Sequence, residues 1–446
     1  RSIMRRLPTN ATVLLSALVL PFTSAYESLA PRGVQSLPLS VIGRDILDAK
    51  NDTVALVGAN WPGHEQAMLP EGLQFQNISN IVTKIAETGF NSVRLTFATE
   101  MVDDIVDRGG DVTLRATLEK ALGAENGTKV MKQIINNNPS FNESTKRLEV
   151  WNAVADELAR QNIYLHLDNH MSKAGWCCNV ADGNGWFGDA YFNTTNWIRS
   201  LSYMAEHGKA NWKSFSSIGL RNEIRERFSY DSPPAAPAIE PGTWETWEKR
   251  MVQGASAIHA ANPDVLIFFG GRLGGIDIEA PANGWYADEP KWNFSIAALP
   301  FKNKFVFELH AYDHGLSDDC EGYYGMLDGW GADVMTKGQA NVAPLIMSEW
   351  GHDQSDTSRD YEKRFHKCLM DLMVQRSVGW MVWSMGGSYY IREGKADVED
   401  FWGLLDRTWS DYRGHDSIKK LQAGMKATYE SFNKSMPAAA KEVGGR

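Results

Sequence analysis

Val265-Leu266-Ile267-Phe268-Phe269-Gly270 is an unbroken apolar run closed by a glycine. It is too short for a buried helix and lacks the alternation of a strand with one wet face. Both of its faces must therefore be covered, as in a parallel sheet flanked by helices. Seven further β-rich runs accompany it: Val54–Asn60, Ser92–Phe97, Ile163–His170, Ser217–Glu223, Phe305–His310, Leu345–Glu349 and Trp380–Trp383. Helical patterns fill the intervals. Thr243 reads as an N-cap before Trp244, Trp247, Met251, Ala255 and Ile258, which fall along one face, and Tyr361, Phe365, Cys368, Leu369 and Leu372 form a similar stripe. Eight strands alternating with helices predict an α/β protein, a (β/α)8 TIM barrel forming a single domain over residues 26–436. The stretch from Met101 to Val150 is long for one connection and reads as an insertion around a helix.

The two ends have different compositions. Met4-Arg5-Arg6, the apolar run Ala11–Leu20 and Thr23-Ser24-Ala25 follow the layout of a secretory signal over residues 1–25. That run is too short to span a bilayer, and no later segment approaches the required length, so no membrane span is expected. Downstream of that signal segment, seven Asn-x-Ser/Thr sequons, at Asn51, Asn77, Asn126, Asn142, Asn193, Asn293 and Asn433, imply an extracellular, N-glycosylated protein. Residues 437–446 are small and polar and read as a flexible tail. With 43% hydrophobic residues the 446-residue chain can bury a large core, which excludes general disorder. A net charge of −10 with no basic cluster excludes nucleic acid as a partner. A monomer is expected.

Four cysteines suit two disulfides in an oxidising compartment. Cys320 follows the sixth strand and Cys368 lies on the helix after the seventh, so these two should pair; Cys177 and Cys178 would form a vicinal bridge or remain thiols. Their spacing is not that of a zinc site, and neither a metal nor another cofactor is expected.

Active sites of such barrels lie at the C-terminal ends of the strands. Those ends carry Asn60, Arg94, Asp168 with His170, Asn222 with Glu223, His310 with Tyr312, Glu349, and Trp383. Two carboxylates from opposite strands, ringed by hydrogen-bond donors and closed by an indole, are what acetal hydrolysis requires. Glu223 would act as general acid/base and Glu349 as nucleophile. Arg94 and Tyr312 would hold Glu349, and Asn222 would donate to a sugar 2-hydroxyl. Sixteen Trp residues, many in loops, suggest stacking on a carbohydrate substrate, with Trp61, Trp176, Trp186 and Trp350 as candidates beside Trp383.

The ordered set Arg94, His170, Asn222, Glu223, His310, Tyr312, Glu349 and Trp383 resembles the active-site signature of glycoside hydrolase family 5, the cellulase-like retaining enzymes, from about Val54 to Trp409. The resemblance implies Glu223 as acid/base, Glu349 as nucleophile flanked by His310 and Tyr312, and Trp383 as the floor of the sugar site. Ile224 departs from the pattern, since Pro usually follows Asn-Glu there. Asn169-His170-Met171-Ser172-Lys173, Trp176-Cys177-Cys178 and Gly387–Gly394 resemble a branch shared by plants and fungi. The implied activity is hydrolysis of β-glycosidic bonds in a glucan or related polysaccharide, oligosaccharide or glycoconjugate. Transglycosylation would use the same residues, and a non-catalytic carbohydrate-binding barrel is the competing class.

Overall fold

A computed structural model describes residues 35–226, 238–313, 319–336 and 338–435. The expected leader (1–25) and tail (437–446) lie outside the described residues. Eight parallel strands close into a barrel: β1 Val57–Trp61, β2 Ser92–Ala98, β3 Tyr164–Met171, β4 Phe215–Gly219, β5 Leu266–Gly270, β6 Phe305–Ala311, β7 Leu345–Trp350 and β8 Gly379–Val382. Each pairs with its sequence neighbours, and β8 closes on β1. The chain is thus a single (β/α)8 barrel.

The run that predicted the fold shows why both faces of a strand are apolar. Leu266 and Phe268 join Leu56, Tyr164, Val306, Ile346 and Met381 in one cluster, together with Leu39 and Ile46 from a short hairpin, Ser40–Ile42 with Asp45–Leu47. Ile267 and Phe269 belong instead to the layer shared with the helices. Side chains alternate across a strand, so consecutive residues fill different cores.

The helix Trp244–Ala261 begins as expected: the Thr243 side chain accepts from the Thr246 N–H, and Trp247 donates its indole N–H to the Gly270 carbonyl at 3.0 Å. All five residues of its predicted stripe are buried. In the second stripe, Tyr361 sits in a 3-10 turn, and the helix itself runs Arg364–Arg376.

Two expectations change. The stretch from Met101 to Val150 holds three helices, Thr99–Arg108, Leu114–Leu122 and Ala124–Asn137, before the crossover helix Arg147–Arg160 begins. Gly109 and Gly123, both at positive φ, end the first two and were the available signal. The fourth strand ends at Gly219 and does not continue to Glu223, which sits beyond it in a loop at φ 41°.

Cys320, at the start of the helix Cys320–Gly329, is bridged to Cys368 on Arg364–Arg376, with Cα atoms 5.1 Å apart. The bond closes a loop between residues 48 apart in sequence. In the chain-entropy account that closure contributes about 4 kcal/mol. The double substitution Cys320→Ser, Cys368→Ser is expected to lower stability by about that amount in denaturant titrations. No helix among the described residues is long and apolar enough to cross a membrane.

Candidate active site

Arg94 projects from the middle of β2 and is wholly buried. Its Nη1 donates to Glu349 Oε1 at 2.6 Å and to Asn60 Oδ1 at 2.8 Å. Its Nη2 donates to Asn222 Oδ1 at 2.8 Å and pairs with Asp168 Oδ1 at 2.9 Å. One guanidinium thereby ties together residues from β1, β3, β7 and the loop after β4. Burial opposes its charge, but Asp168, Glu349 and Glu308 outweigh that opposition and hold Arg94 above the ordinary arginine range. Asn60 in turn donates to the carbonyls of Ser348, Met381 and Val382, which fixes the ends of β7 and β8.

Around this centre the carboxylates differ. Register shifts interrupt the pairing of β7 with β6 and with β8 near its end, and Glu349 sits at that irregularity. Its Oε2 accepts from the Tyr312 hydroxyl at 3.0 Å and lies 3.6 Å from His310 Nδ1. Among the described residues the Glu223 side chain takes a single bond, from His310 Nδ1 to Oε1 at 3.0 Å, and it is 19% exposed against 5% for Glu349. Oxygen atoms of the two carboxylates and a nitrogen of His310 lie within 4.8 Å of one another. These three could offer donors to a cation, but each already has a hydrogen-bond partner.

The neighbouring titrations follow from burial and these charges. Burial pulls His310 down, yet Glu349 and Glu223 more than offset it, so its pKa lies above the usual histidine value. Burial and the same carboxylates push the Tyr312 hydroxyl well up, which keeps its proton on oxygen for donation to Glu349. His170 is driven well below its usual value by burial and is neutral. Its Nδ1 is 2.7 Å from Asp168 Oδ2 and its Nε2 is 3.3 Å from Asn222 Nδ2. Both contacts are satisfied by a proton on Nδ1.

A cleft of about 420 Å3 opens over this group. His170, Asn222, Glu223, Tyr312, Glu349 and Trp383 line it. Trp383 follows β8 directly, and its ring stacks on His170 with centroids 5.4 Å apart. All ten residues read from the strand ends thus converge, but Asn60, Arg94, Asp168 and His310 lie behind the cleft surface, Arg94 holding Glu349 and Asn222, and His310 holding Glu223.

The walls differ from expectation. Trp176 lines the cleft as anticipated, beside the joined pair Cys177–Cys178. Trp61, Trp186 and Trp350 are buried in the core instead, and the indole N–H groups of Trp61 and Trp186 are taken by the carbonyls of Glu71 and Pro241. Arg392, which lies in the quoted segment Gly387–Gly394, also lines the cleft, as do Asp400 and Trp402, for which no site role was expected. The aromatic pair in Asp400-Phe401-Trp402-Gly403 was the available signal for Asp400 and Trp402.

A family model for Cellulase (glycosyl hydrolase family 5) matches residues 47–388. The chain belongs to glycosyl hydrolase family 5. A glycosyl hydrolase 5 family protein of Chamaecyparis obtusa is 33% identical over 424 residues, covering 93% of this chain and 69% of that protein. Endoglucanase G of Acetivibrio thermocellus is 22% identical, over 83% and 68% respectively. The endocellulase of Pyrococcus horikoshii in complex with cellotetraose superposes with a TM-score of 0.64 at 18% identity, covering 88% of this chain and 99% of that one. The catalytic domain of the major endoglucanase of Xanthomonas campestris pv. campestris gives 0.62 at 16%, with the same coverage. These structures share the fold. As a family 5 member the chain is a glycoside hydrolase with a carbohydrate substrate.

Proposed function

We propose that the protein is a secreted retaining β-glycosidase acting on a β-glucan or a related polysaccharide, oligosaccharide or glycoconjugate, with Glu349 as nucleophile and Glu223 as general acid/base. The observation that carries this reading is the approach of the two carboxylates to within 4.8 Å. Retaining enzymes hold the pair about 5–5.5 Å apart, whereas inverting ones leave about 6.5–9.5 Å for a water.

The unequal surroundings divide the roles. Arg94 and Tyr312 each hold one oxygen of Glu349 at the cleft, which positions it to attack the anomeric carbon. Glu223, more exposed and hydrogen-bonded through its side chain, among the described residues, to His310 alone, would serve as general acid to the departing oxygen and afterwards as general base to water. Asn222, held by Arg94 through Oδ1, lines the cleft with its Nδ2 3.3 Å from His170 Nε2 and 3.5 Å from the sulfurs of Cys177 and Cys178, and would donate from that amide to the sugar 2-hydroxyl. The names of the relatives favour a glucan. Secretion is supported by the disulfide pairing and by the exposure of Asn51, Asn126, Asn142, Asn193, Asn293 and Asn433.

The test is product analysis on β-glucans, mannans, galactans and aryl β-glycosides, with proton NMR of the sugar first released. The β-anomer should appear first and mutarotate afterwards. Initial α-anomer would exclude retention, and a folded protein that cleaves none of the panel would exclude the activity. Trp383→Ala should reduce kcat more than it raises KM, because the ring aligns the reacting sugar with Glu349. Wild-type kcat in that variant would place Trp383 outside the reacting-sugar site.

A further inference from the structure

Beyond β8 the chain forms a hairpin, β9 Ser388–Arg392 with β10 Lys395–Glu399, and this hairpin is fastened to two other strand-end loops. Toward the loop after β1, the Tyr390 N–H donates to Glu71 Oε2 at 2.7 Å and its hydroxyl donates to the Pro70 carbonyl at 2.9 Å. Toward the loop after β3, the Arg392 guanidinium lies 3.3 Å over the Trp176 ring, whose edge meets Tyr389 at 5.6 Å. Asp400 completes the join: Tyr389 donates to its Oδ2 at 2.9 Å, and the Trp402 N–H donates to its Oδ1 at 3.0 Å. Tyr389, Tyr390, Glu71 and Asp400 are all buried, so the three loops form one packed wall.

The position of the wall gives it a direction. In the ring of eight strands, β8 and β1 stand opposite β4 and β5, and Glu223 follows β4. On the retaining reading, the leaving group lies beside Glu223. The hairpin and the loop after β1 therefore stand at the other end, where the sugar chain would continue away from the cleaved bond on its non-reducing side, while the loop after β3 runs from Trp176 back toward Glu223, whose carboxylate lies within 4.8 Å of the sulfurs of Cys177 and Cys178. Arg392 and Asp400 face the cleft from this wall. The Arg392 guanidinium makes no hydrogen bond to the described residues, its nearest carboxylate oxygen being Asp400 Oδ1 at 3.9 Å. Free N–H donors beside a carboxylate acceptor match the vicinal hydroxyls of a sugar ring. A cleft of about 420 Å3 is also near the small end of ligand sites, roughly 300–1,000 Å3.

We propose that this wall closes the cleft and that Arg392 and Asp400 bind the hydroxyls of a terminal sugar. The enzyme then removes sugar from the non-reducing ends of oligosaccharides or glycoconjugates and does not cut within a polymer. This rests on the retaining-glycosidase reading, and the experiment separates the two. The full chain is incubated with β-gluco-, β-manno- and β-galacto-pentaoses labelled at the reducing end, with the matching polysaccharides, and with aryl β-glycosides. For the pentaose that is cut, labelled tetraose should appear first, while polysaccharide viscosity stays nearly constant as sugar is released. Early labelled dimer and trimer with a rapid fall in viscosity would overturn the closed end and leave the glycosidase reading standing. Failure to cleave any of these substrates would remove the glycosidase reading, and the closed end with it. Arg392→Ala should raise KM roughly 10- to 100-fold, the loss of a charge-assisted hydrogen bond, with kcat less affected. Arg392→Lys should recover part of that loss. An unchanged KM in a folded Arg392→Ala protein would show that Arg392 does not contact the sugar.

Discussion

Glu349→Gln is expected to leave the barrel folded and to lower turnover by at least about a thousandfold, as loss of a covalent nucleophile does. Folding should survive because the amide keeps an oxygen for Arg94, and Arg94 retains Asp168 as its counter-charge. Chemistry should not, because an amide cannot displace the leaving group. The matching changes at Glu223 have a different signature. Glu223→Ala should lose activity on alkyl and sugar leaving groups yet still release dinitrophenol from aryl glycosides, since that anion departs without a proton. Added azide distinguishes the positions by stereochemistry. In Glu349→Ala it replaces the missing nucleophile and yields the α-glycosyl azide. In Glu223→Ala it attacks the glycosyl-enzyme from the opposite face and yields the β-product. If both variants gave the same anomer, or if Glu349→Gln kept measurable wild-type turnover, the assignment of roles would be wrong.

Arg94→Met should be the most destabilising single change in the site, costing about 3–5 kcal/mol, because it leaves buried carboxylates without their cation. The cost should depend on pH, with a sign that the structure specifies. Burial raises the pKa of Asp168 above its ordinary value although Arg94 pulls it down, and Glu308 behaves likewise. Between the unfolded and the folded pKa values the native state holds more protons than the unfolded chain, so stability is lost as pH rises through that interval. Removing Arg94 raises both folded values further and extends the interval upward. The deficit relative to the parent should therefore be smallest near about pH 5 and larger near about pH 8 in denaturant unfolding. An equal deficit at both would mean that Arg94 acts through packing alone and not by neutralising Asp168 and Glu308.

The chemistry of the site was legible because barrel topology turns a linear order into a spatial one. Polar residues ending apolar runs, such as Arg94, His170, Glu349 and Trp383, must meet at one rim whatever the loops do. Aromatic residues were harder to read. Trp61 and Trp350 adjoin strand ends just as Trp383 does, yet both are fully buried while Trp383 faces the cleft. An indole is amphipathic, and once a carbonyl takes its N–H, as Glu71 does for Trp61, the ring is as much at home in the core as against a sugar.

By itself the sequence determined the barrel, the eight strands, the Cys320–Cys368 pairing and the inventory of reactive groups, because these depend on periodicity, strand order and residue chemistry. The tertiary structure alone decided which groups touch the cleft and which work from behind it. It set the turn that lifts Glu223 out of β4 and the separation of Glu223 from Glu349. It also folded the β9–β10 hairpin back against Glu71 and Trp176. Those features arise from contacts between residues hundreds of positions apart. Their energies come from packing and hydrogen bonding across loops that carry no periodic signal, so nothing local in the chain announces them.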